Sequence, residues 1–318
     1  MKTLRKVTQL LLCVCFSILS DVYMAKAAST VIPDIQASSS PKVQEDAVRN
    51  LIRRLLPFHS ESFKVKVDLD LGPKDQDTFE LKSVNGSIQV SGSSGVAAAW
   101  GFHYYLKIYC GCHVSWSGVQ LKLPKLLPQP ETPVLVTSND KFTYYMNVCT
   151  FSYSTVWWNW TRWEKELDWM ALNRINLPLA FVGQEIVLKR VFLKLGFEEK
   201  SVDDYITGPA FLAWNRMGNI QQFGGPLPSS WHQQQLRLQH QILNRMREFG
   251  MFPVLPAFSG HVPSTIKELF PTATVSVLAA WSHFGPPYSG TTFLEPSDPL
   301  FRKIGAMFLQ EVIMEIVL

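Results

Sequence analysis

The sequence predicts an α/β protein in which a small α+β domain, over residues 42–125, is followed by the N-terminal half of a (β/α)8 TIM barrel, over residues 139–318. Two observations lead to this prediction. In the first region, short segments alternate apolar and charged residues, as half-buried strands do. In the second region, apolar runs alternate with helical patterns, which indicates parallel strands joined by helices. The connections there are long, and they favour a barrel over a compact dinucleotide-binding sheet.

The first 27 residues have the pattern of a secretory signal peptide. A basic start leads into an apolar run at 10–19, and Ala25-Lys26-Ala27 matches a cleavage site. The run is too short for a membrane span, which needs about 20 residues. Residues 28–41 are small and polar, so we expect a mobile leader there and no membrane anchor after cleavage.

In the small domain, the residue pattern predicts two helices and a short set of strands. Asn85-Gly86 lies between two apolar segments, which is a strong signal for a tight hairpin turn. The predicted elements are a helix at 43–56, strands at 63–69, 79–81 and 88–90, a helix at 96–109, and a strand at 113–116. Several prolines then follow closely, and because proline lacks a backbone donor we predict a linker at 126–138.

After this linker we find three or four strand–helix units, about half of a (β/α)8 barrel. Gly196 and Gly250 each follow a helical pattern and are predicted to end it. The predicted strands lie at 142–149, 175–181 and 252–258, with a further strand element at 275–278. The predicted helices lie at 163–172, 185–195, 201–217, 230–249, 264–270 and 299–318.

The net charge of +4 gives no support for nucleic-acid binding, because the predicted signal peptide carries much of it and the rest of the chain is close to neutral. Cys110, Cys112 and Cys149 follow the signal, and an odd number leaves either a free thiol or a partner outside the sequence. They lack the companions of a zinc site, so we expect no metal. No glycine-rich phosphate-binding spacing follows a strand, and we expect no cofactor.

Two N-glycosylation sequons are present, Asn85-Gly86-Ser87 and Asn159-Trp160-Thr161. Both are candidate attachment sites in a chain that enters the secretory pathway. Asn85 is the stronger candidate, because its predicted hairpin turn should lie at the surface.

The predicted strand ends carry polar and aromatic side chains, and active sites of barrels form at the carboxyl ends of the strands. Asn147 and Cys149 end the first strand, next to hydroxyl and aromatic residues, a combination that suits a sugar. Glu185 follows the second strand, although a glutamate there is also favoured by the helix dipole. His261 follows the third strand, where it either orients a substrate or bonds a nearby carbonyl.

Other prominent residues are expected to be structural. Trp157, Trp158 and Trp160 should be core, since neighbouring aromatic residues cannot all face one pocket. Asp168 lies within a predicted helix and is expected to face solvent. Glycosidic hydrolysis needs two facing carboxylates, and the sequence offers no convincing pair. The residues alone therefore predict a secreted, barrel-like domain without an assigned catalytic residue.

Long ordered blocks of the sequence resemble the lysosomal α-N-acetylglucosaminidase family. The longest is YYMNVCTFSYSTVWWNWTRWEKELDWMALNRINLPLA at 144–180, followed by GQE at 183–185. Further blocks are GVAAAWGFHYYL, GCHVSWSG, TGPAFLAWNRMGN, FGMFPVLPAFSGHVP and WSHF. The resemblance covers nearly all of the chain after the signal peptide.

This resemblance implies an exo-acting, retaining glycoside hydrolase of lysosomes that removes terminal α-linked N-acetylglucosamine from heparan sulfate. It implies a small α/β domain, a (β/α)8 barrel and a helical C-terminal domain, and it allows a homo-oligomer at full length. The residues that it places in the sugar pocket are Asn147, Cys149, Trp214 and Trp281.

The family's two catalytic glutamates lie beyond residue 318, so the resemblance predicts a fragment without hydrolase activity of its own. Two rival interpretations stay open: a truncated, non-catalytic secreted protein that at most binds sugar, and a glycosidase of another barrel family. The sequence also departs from the family. Arg174 stands where the family usually has glycine, and Phe151, Phe181 and Leu188 replace expected polar or tryptophan residues, which bears on sugar contacts more than on the fold.

Overall fold

A computed structural model describes residues 37–314, in which helices and strands alternate largely as predicted. The predicted signal peptide at 1–27, most of the predicted leader and the end of the last predicted helix lie outside the described residues. From Ser39 onward the chain forms one compact unit. No helix in the described range is long and apolar enough to cross a bilayer.

The small domain is a four-stranded sheet covered by two helices. Strands β1 (Phe63–Val67), β2 (Thr78–Val84), β3 (Ser87–Gly92) and β6 (Val134–Thr137) lie in the order β1-β3-β2-β6. β1 runs parallel to β3, and the other neighbours are antiparallel. Strictly alternating burial along β1 confirms the predicted half-buried strand. Helices α1 (Pro41–Leu55) and α2 (Gly95–Cys110) pack their apolar faces onto this sheet.

Two local predictions in this domain can be compared with the structure. Asn85 and Gly86 have φ angles of 51° and 77°, so both take the left-handed conformation that a two-residue hairpin requires, and the predicted turn is confirmed. The segment predicted as a linker at 126–138 contains β6, which pairs with β2. Val134 to Thr137 is proline-free and rich in β-branched residues, and this local preference outweighs the prolines before it. A small hairpin, β4 (His113–Val114) with β5 (Val119–Gln120), precedes it.

The second part of the chain contains two short parallel strands and, where a strand was predicted at 252–258, an isolated parallel bridge at Val254 that takes the place of a third strand; each leads to a long helix. β7 (Tyr144–Tyr145) pairs with β8 (Leu177–Pro178), and Leu179 pairs in parallel with Val254. The helices that complete these units are α4 (Trp160–Leu172), α8 (Ser229–Glu248) and α10 (Pro299–Val312). The strands are shorter than predicted, and near the second and third pairing positions Pro178, Pro253 and Pro256 lack the backbone donor that a longer ladder needs. The parallel strand–helix arrangement itself is confirmed.

Long insertions follow the carboxyl ends of these strands. Helix α3 (Thr150–Tyr153) follows β7, and α5 (Gln184–Leu195), α6 (Glu199–Tyr205) and α7 (Leu212–Arg216) follow β8. After Val254 come β9 (His261–Val262), α9 (Ile266–Leu269), β10 (Val275–Val277) and β11 (Thr292–Leu294), whose strands form an antiparallel sheet in the order β10-β11-β9. The predicted element at 275–278 is therefore β10, which belongs to this separate sheet. Gly196 and Gly250 end their helices with φ angles of 99° and 77°, as predicted.

An ion pair between Arg54 and Asp168 joins the small domain to the barrel units. Arg54 on α1 donates two hydrogen bonds to the Asp168 carboxylate on α4, at 2.7 and 2.6 Å. Asp168 is only 5% exposed, so the expectation that it faces solvent is wrong. The helical pattern did not predict this burial, because the carboxylate lies on the face of α4 that the small domain covers. Burial raises the pKa of Asp168, and the hydrogen bonds from Arg54 oppose that rise.

Asp77 forms a second connection between the two parts. Its carboxylate accepts hydrogen bonds from Ser94 in the small domain, at 2.8 Å, and from Asn176 beside β8, at 3.0 Å. The Arg174 guanidinium lies 3.7 Å from the same carboxylate. Burial raises the pKa of Asp77, and these partners act against the rise.

Arg174 itself occupies the position just after the end of α4, with a φ of 59°. Glycine is the residue that this left-handed position usually takes, which accounts for glycine at this place in the resembling family. An L-residue there costs about 1 kcal/mol. The guanidinium offsets that cost by donating to the Asp140 carbonyl at 2.9 Å and approaching Asp77.

We expect Arg54→Ala to lower the free energy of unfolding by about 2–3 kcal/mol, because it leaves the buried Asp168 carboxylate without its main partner. The loss stays below the full value for a buried pair since Arg245 remains 3.7 Å away. Lys42→Ala is the matched control, because Lys42 pairs with Asp46 on an exposed helix face and should cost less than about 0.5 kcal/mol. Denaturant unfolding of both variants measures the difference, and equal losses would contradict the role given to Arg54.

His103 on α2 should make the protein less stable in acid. Its Nδ1–H donates to the Leu172 carbonyl at 2.9 Å, and burial lowers its pKa to about 4. A histidine in the unfolded chain has a pKa near 6.5, so the unfolded state binds the proton first as the pH falls. The stability contributed by neutral His103 is therefore complete above pH ~6.5 and is lost between pH ~6.5 and ~4.

Comparing the free energy of unfolding at pH 7 and pH 4.5 tests this. The wild type should lose up to about 3 kcal/mol more than His103→Gln over that interval. The exposed His59 provides the control, since His59→Gln should leave the acid-dependent loss unchanged. If wild type and His103→Gln lose the same free energy of unfolding between pH 7 and pH 4.5, the role given to His103 is wrong.

Candidate functional site

The site lies in the segments that follow the three parallel strands. Asn147 and Cys149 come directly after β7, Trp214 lies on α7 after β8, and Trp281 lies between β10 and β11 after Val254. The carboxyl ends of neighbouring parallel strands lie at one edge of a sheet. Residues distant in the sequence therefore gather there.

The first segment is a tight turn that presents Asn147 to solvent. The Cys149 N–H donates to Asn147 Oδ1 at 2.8 Å, and Thr150 Oγ1 donates to the Asn147 carbonyl at 2.6 Å. Asn147 is exposed and Cys149 is half-buried at the start of α3. The turn holds the amide in one orientation while leaving it within reach of a ligand.

Cys110, Cys112 and Cys149 all carry free thiols in the structure.

An aromatic wall stands beside this turn. The Trp214 and Trp281 rings lie 6.1 Å apart at an interplanar angle of 37°, and both are half-buried. Tyr153, at the end of the helix α3 that follows the Asn147 turn, packs edge-on against Trp214 at 5.3 Å, and Phe284 stacks on Trp281 at 6.1 Å. The structure thus brings the turn, Trp214 and Trp281 together. The sequence placed Tyr153 among the hydroxyl and aromatic residues after the first strand but not among the pocket residues, and it gave no role to Phe284, although both stand within the blocks that carry the resemblance.

The loop that carries Trp281 has an unusual backbone. Ser282 and His283 have φ angles of 49° and 65°, in the left-handed region that residues other than glycine seldom adopt. Each such residue costs of order 1 kcal/mol and persists only where its surroundings hold it. These two residues directly follow Trp281, whose ring packs against Trp214 and Phe284.

One buried hydrogen bond fixes the turn against the wall. The Ala213 N–H at the start of α7 donates to Ser152 Oγ at 2.9 Å. Ser152 is buried on α3, one residue before Tyr153, and Ala213 immediately precedes Trp214. The spacing between the Asn147 turn and Trp214 is therefore set by contacts of the neighbouring residues.

Glu185 holds α7 in place. Arg216 on α7 donates through Nε to Glu185 Oε1 at 2.7 Å, and its Nη2 lies 2.5 Å from the same oxygen. The Arg216 guanidinium also lies over the Phe151 ring of α3, 4.2 Å from the centroid. Glu185 is 5% exposed in the first turn of α5, which agrees with the helix-dipole interpretation. Its carboxylate is engaged and does not face an open cleft.

His261 is held by packing. A Cβ on Gly218 would lie 2.0 Å from His261 Cε1, so the imidazole occupies the space that the glycine leaves open. The Phe293 ring lies 5.3 Å from the imidazole, and burial lowers the pKa of His261. The ring lines a small cavity together with Glu185 and Arg216.

The remaining carboxylates that are buried in the described range are also engaged. Glu166 accepts hydrogen bonds from Trp116 at 2.8 Å and Tyr145 at 2.9 Å, and it pairs with Arg162 at 3.0 Å. Glu311 accepts from Lys194. Among the described residues, His, Cys, Asp and Glu side chains form no cluster that could hold a metal ion.

The three neighbouring tryptophans divide between core and surface. Trp158 and Trp160 pack against the core, as expected, and Trp158 stacks on the Arg162 guanidinium at 3.9 Å. Trp157 is 59% exposed, so the expectation that it is core is wrong. It is the last residue of a single 3-10 turn that precedes α4. The sequon residues Asn85 and Asn159 are both exposed, and their glycosylation stays a prediction.

Comparisons with known proteins agree on one family. The model described as "Alpha-N-acetylglucosaminidase (NAGLU) tim-barrel domain" matches residues 143–316, and the corresponding N-terminal domain matches residues 46–129. The human protein named alpha-N-acetylglucosaminidase is 51% identical over 272 residues, which cover 85% of this chain and 37% of the human protein.

Solved structures give the same result. A family 89 glycoside hydrolase from Clostridium perfringens, in complex with 2-acetamido-1,2-dideoxynojirmycin, is 32% identical and matches 87% of this chain and 31% of its own, with a TM-score of 0.81. A variant of that bacterial enzyme in complex with its substrate GlcNAc-α-1,4-galactose is 31% identical over 86% of this chain, with a TM-score of 0.80. The three parallel strand–helix units therefore belong to a (β/α)8 barrel, and the chain spans about a third of the length of these relatives.

We expect Glu185 and Arg216 to be strongly coupled. Glu185→Gln and Arg216→Met should each cost about 3–5 kcal/mol of unfolding free energy, since each leaves a buried charge unpaired. The double variant should cost at least about 1 kcal/mol less than the sum of the two. The exposed pair Lys200 and Asp204 provides the control, with single costs below about 0.5 kcal/mol. Additive losses at Glu185 and Arg216 in denaturant unfolding would refute the coupling.

Proposed function

This chain belongs to the α-N-acetylglucosaminidase family, and we propose that it supplies one side of the sugar-binding site of a glycoside hydrolase acting on terminal α-linked N-acetylglucosamine. The observation that carries the proposal is the meeting of the Asn147 turn with Trp214 and Trp281 beyond the carboxyl ends of the barrel strands. Sugar pockets combine such polar groups with aromatic faces.

In this proposal the Asn147 turn, the aromatic wall and Cys149 have different roles in binding the sugar. The Asn147 amide can both donate to and accept from sugar hydroxyls, and the turn that holds its oxygen limits its rotation. The half-buried indoles of Trp214 and Trp281 offer apolar faces to the C–H surface of a sugar ring. Cys149, half-buried behind the turn, lines the same side and limits the room beside the amide.

The proposal extends to substrate and location. We propose heparan sulfate as the glycan, in line with the resemblance, and the lysosome as the compartment. The bacterial relative with a substrate containing GlcNAc-α-1,4-galactose supports an α-linked terminal N-acetylglucosamine. The N-terminal signal pattern and the two exposed sequons support passage through the secretory pathway.

A second candidate function is sugar binding without catalysis. It is favoured by the state of the buried carboxylates: Asp77, Glu166, Asp168, Glu185 and Glu311 each contact a cationic side chain in the described part of the chain. A hydrolase needs one carboxyl group as acid and another as nucleophile or base, both facing the scissile bond. Ion-paired carboxylates inside the fold do not fill these roles.

Binding of 2-acetamido-1,2-dideoxynojirmycin, the inhibitor seen in the bacterial relative, tests the proposed wall. Trp214→Ala and Trp281→Ala should each weaken binding several-fold to about tenfold, because each removes a stacking face worth about 0.5–1.5 kcal/mol. Asn147→Ala should weaken it similarly by loss of hydrogen bonds. Phe58→Ala is the control, because Phe58 is a 95% exposed aromatic residue of the small domain outside the wall, and this variant should bind like the wild type.

Calorimetric titration with parallel melting curves separates binding from folding. If Trp214→Ala or Trp281→Ala collapses the melting temperature while the folded remainder binds normally, that tryptophan is structural and the wall is wrong. Hydrolysis of an aryl α-N-acetylglucosaminide, assayed on the same samples, tests the second candidate function. Turnover by this chain would refute sugar binding without catalysis, whereas binding without turnover is also expected of a chain that supplies only one side of a hydrolase site.

A further inference from the structure

A second aromatic groove lies outside the site described above, between the start of α4 and the exposed face of α8. Its volume is about 690 Å³. Trp157, Trp160 and Trp231 form its apolar lining, and the exposed Gln234 and Arg237 contribute polar groups. A groove of this size is within the range of small-ligand sites.

Asn159 stands in the wall of this groove and begins the sequon that ends at Thr161. Both residues are exposed. Asn159 is also the N-cap of α4, and its Oδ1 accepts the Arg162 N–H at 3.1 Å. The cap uses the side-chain oxygen, whereas N-glycosylation uses the side-chain nitrogen. One residue can therefore hold the helix start and carry a glycan.

We propose that Asn159 carries an N-linked glycan whose first N-acetylglucosamine residues lie in this groove, against Trp157 and between the polar groups of α8. Attachment forms a bond from Asn159 Nδ2 to the anomeric carbon of the first sugar. The bond from that carbon to the pyrophosphate of a lipid-linked oligosaccharide donor breaks, and the amide loses one proton.

The groove has the chemistry of a sugar-binding surface. Trp157 is 59% exposed, and an indole face is a suitable platform for the C–H side of a sugar ring. The exposed side chains of Gln234 and Arg237 can bond hydroxyl and acetamido oxygens. A glycan anchored at Asn159 is already beside these groups, so it binds them without the entropy loss of a free ligand.

The other sequon lacks such surroundings and serves as an internal reference. Asn85 lies at the tip of the β2–β3 hairpin, and a Cβ on the adjacent Gly86 would have no neighbouring atom within 4 Å. A glycan on Asn85 should therefore project into solvent. The two sequons therefore differ in their surroundings, since Asn159 lies in a groove and Asn85 does not.

The test uses the chain secreted from cells that attach N-glycans. Peptide mass spectrometry should find a glycan on Asn159, and Thr161→Ala should abolish it while leaving the Asn159 cap intact. In the folded protein, a peptide N-glycosidase should release the Asn159 glycan at least tenfold more slowly than the Asn85 glycan. After denaturation the two rates should become similar. Ser87→Ala, which removes the Asn85 sequon, allows the Asn159 rate to be followed alone.

Trp157→Ala should accelerate release from Asn159 several-fold, because the platform that shields the sugar is gone. Phe58→Ala, which truncates a 95% exposed aromatic residue of the small domain, should leave the rate unchanged. An unmodified Asn159 in the secreted protein would overturn the proposal. Equal release rates at Asn159 and Asn85 in the folded chain, or no effect of Trp157→Ala, would show that the glycan does not occupy the groove.

Discussion

The buried ion pair between Glu185 and Arg216 controls how the site is assembled. Arg216 shares helix α7 with Trp214, and that helix is only five residues long, so fixing one residue largely fixes the other. The guanidinium also covers Phe151 of the turn that carries Asn147. A single side chain therefore touches α5, α7 and α3. Because burying two charges is costly, this arrangement specifies geometry more than it adds stability. The aromatic wall depends on that geometry.

The same strategy joins the small domain to the barrel units. The parallel strands are short, and their backbone ladder is interrupted by prolines, so it gives limited rigidity. Arg54 with Asp168, and Asp77 with Asn176, hold α4 and its surroundings from the outside. Glu166 connects Trp116 of the small domain to Tyr145 of the first barrel strand. Polar side chains therefore join the small domain to the barrel units at three places.

Local patterns in the sequence predicted much of the fold, but they did not predict the ion pairs between residues far apart in the chain. The Asn85-Gly86 turn, the glycine helix ends and the alternating β1 strand depend on neighbouring residues, which a sequence displays directly. Asp168 and Glu185 meet partners 114 and 31 residues away, and no periodicity reveals such partners. Trp214 and Trp281 were placed in the pocket by resemblance, and the structure brings them together. The contacts of Tyr153 with Trp214 and of Phe284 with Trp281 were not predicted, because they depend on how segments after different strands meet.

Arg174 couples the conformation at the end of α4 to a contact between the two parts of the chain. Its backbone conformation favours glycine, and its side chain reaches Asp77 in the other part of the molecule. An exchange between glycine and arginine here alters helix-end strain and an inter-domain contact in one step. The effect of such a substitution therefore depends on what residue 77 is, and the reverse also holds.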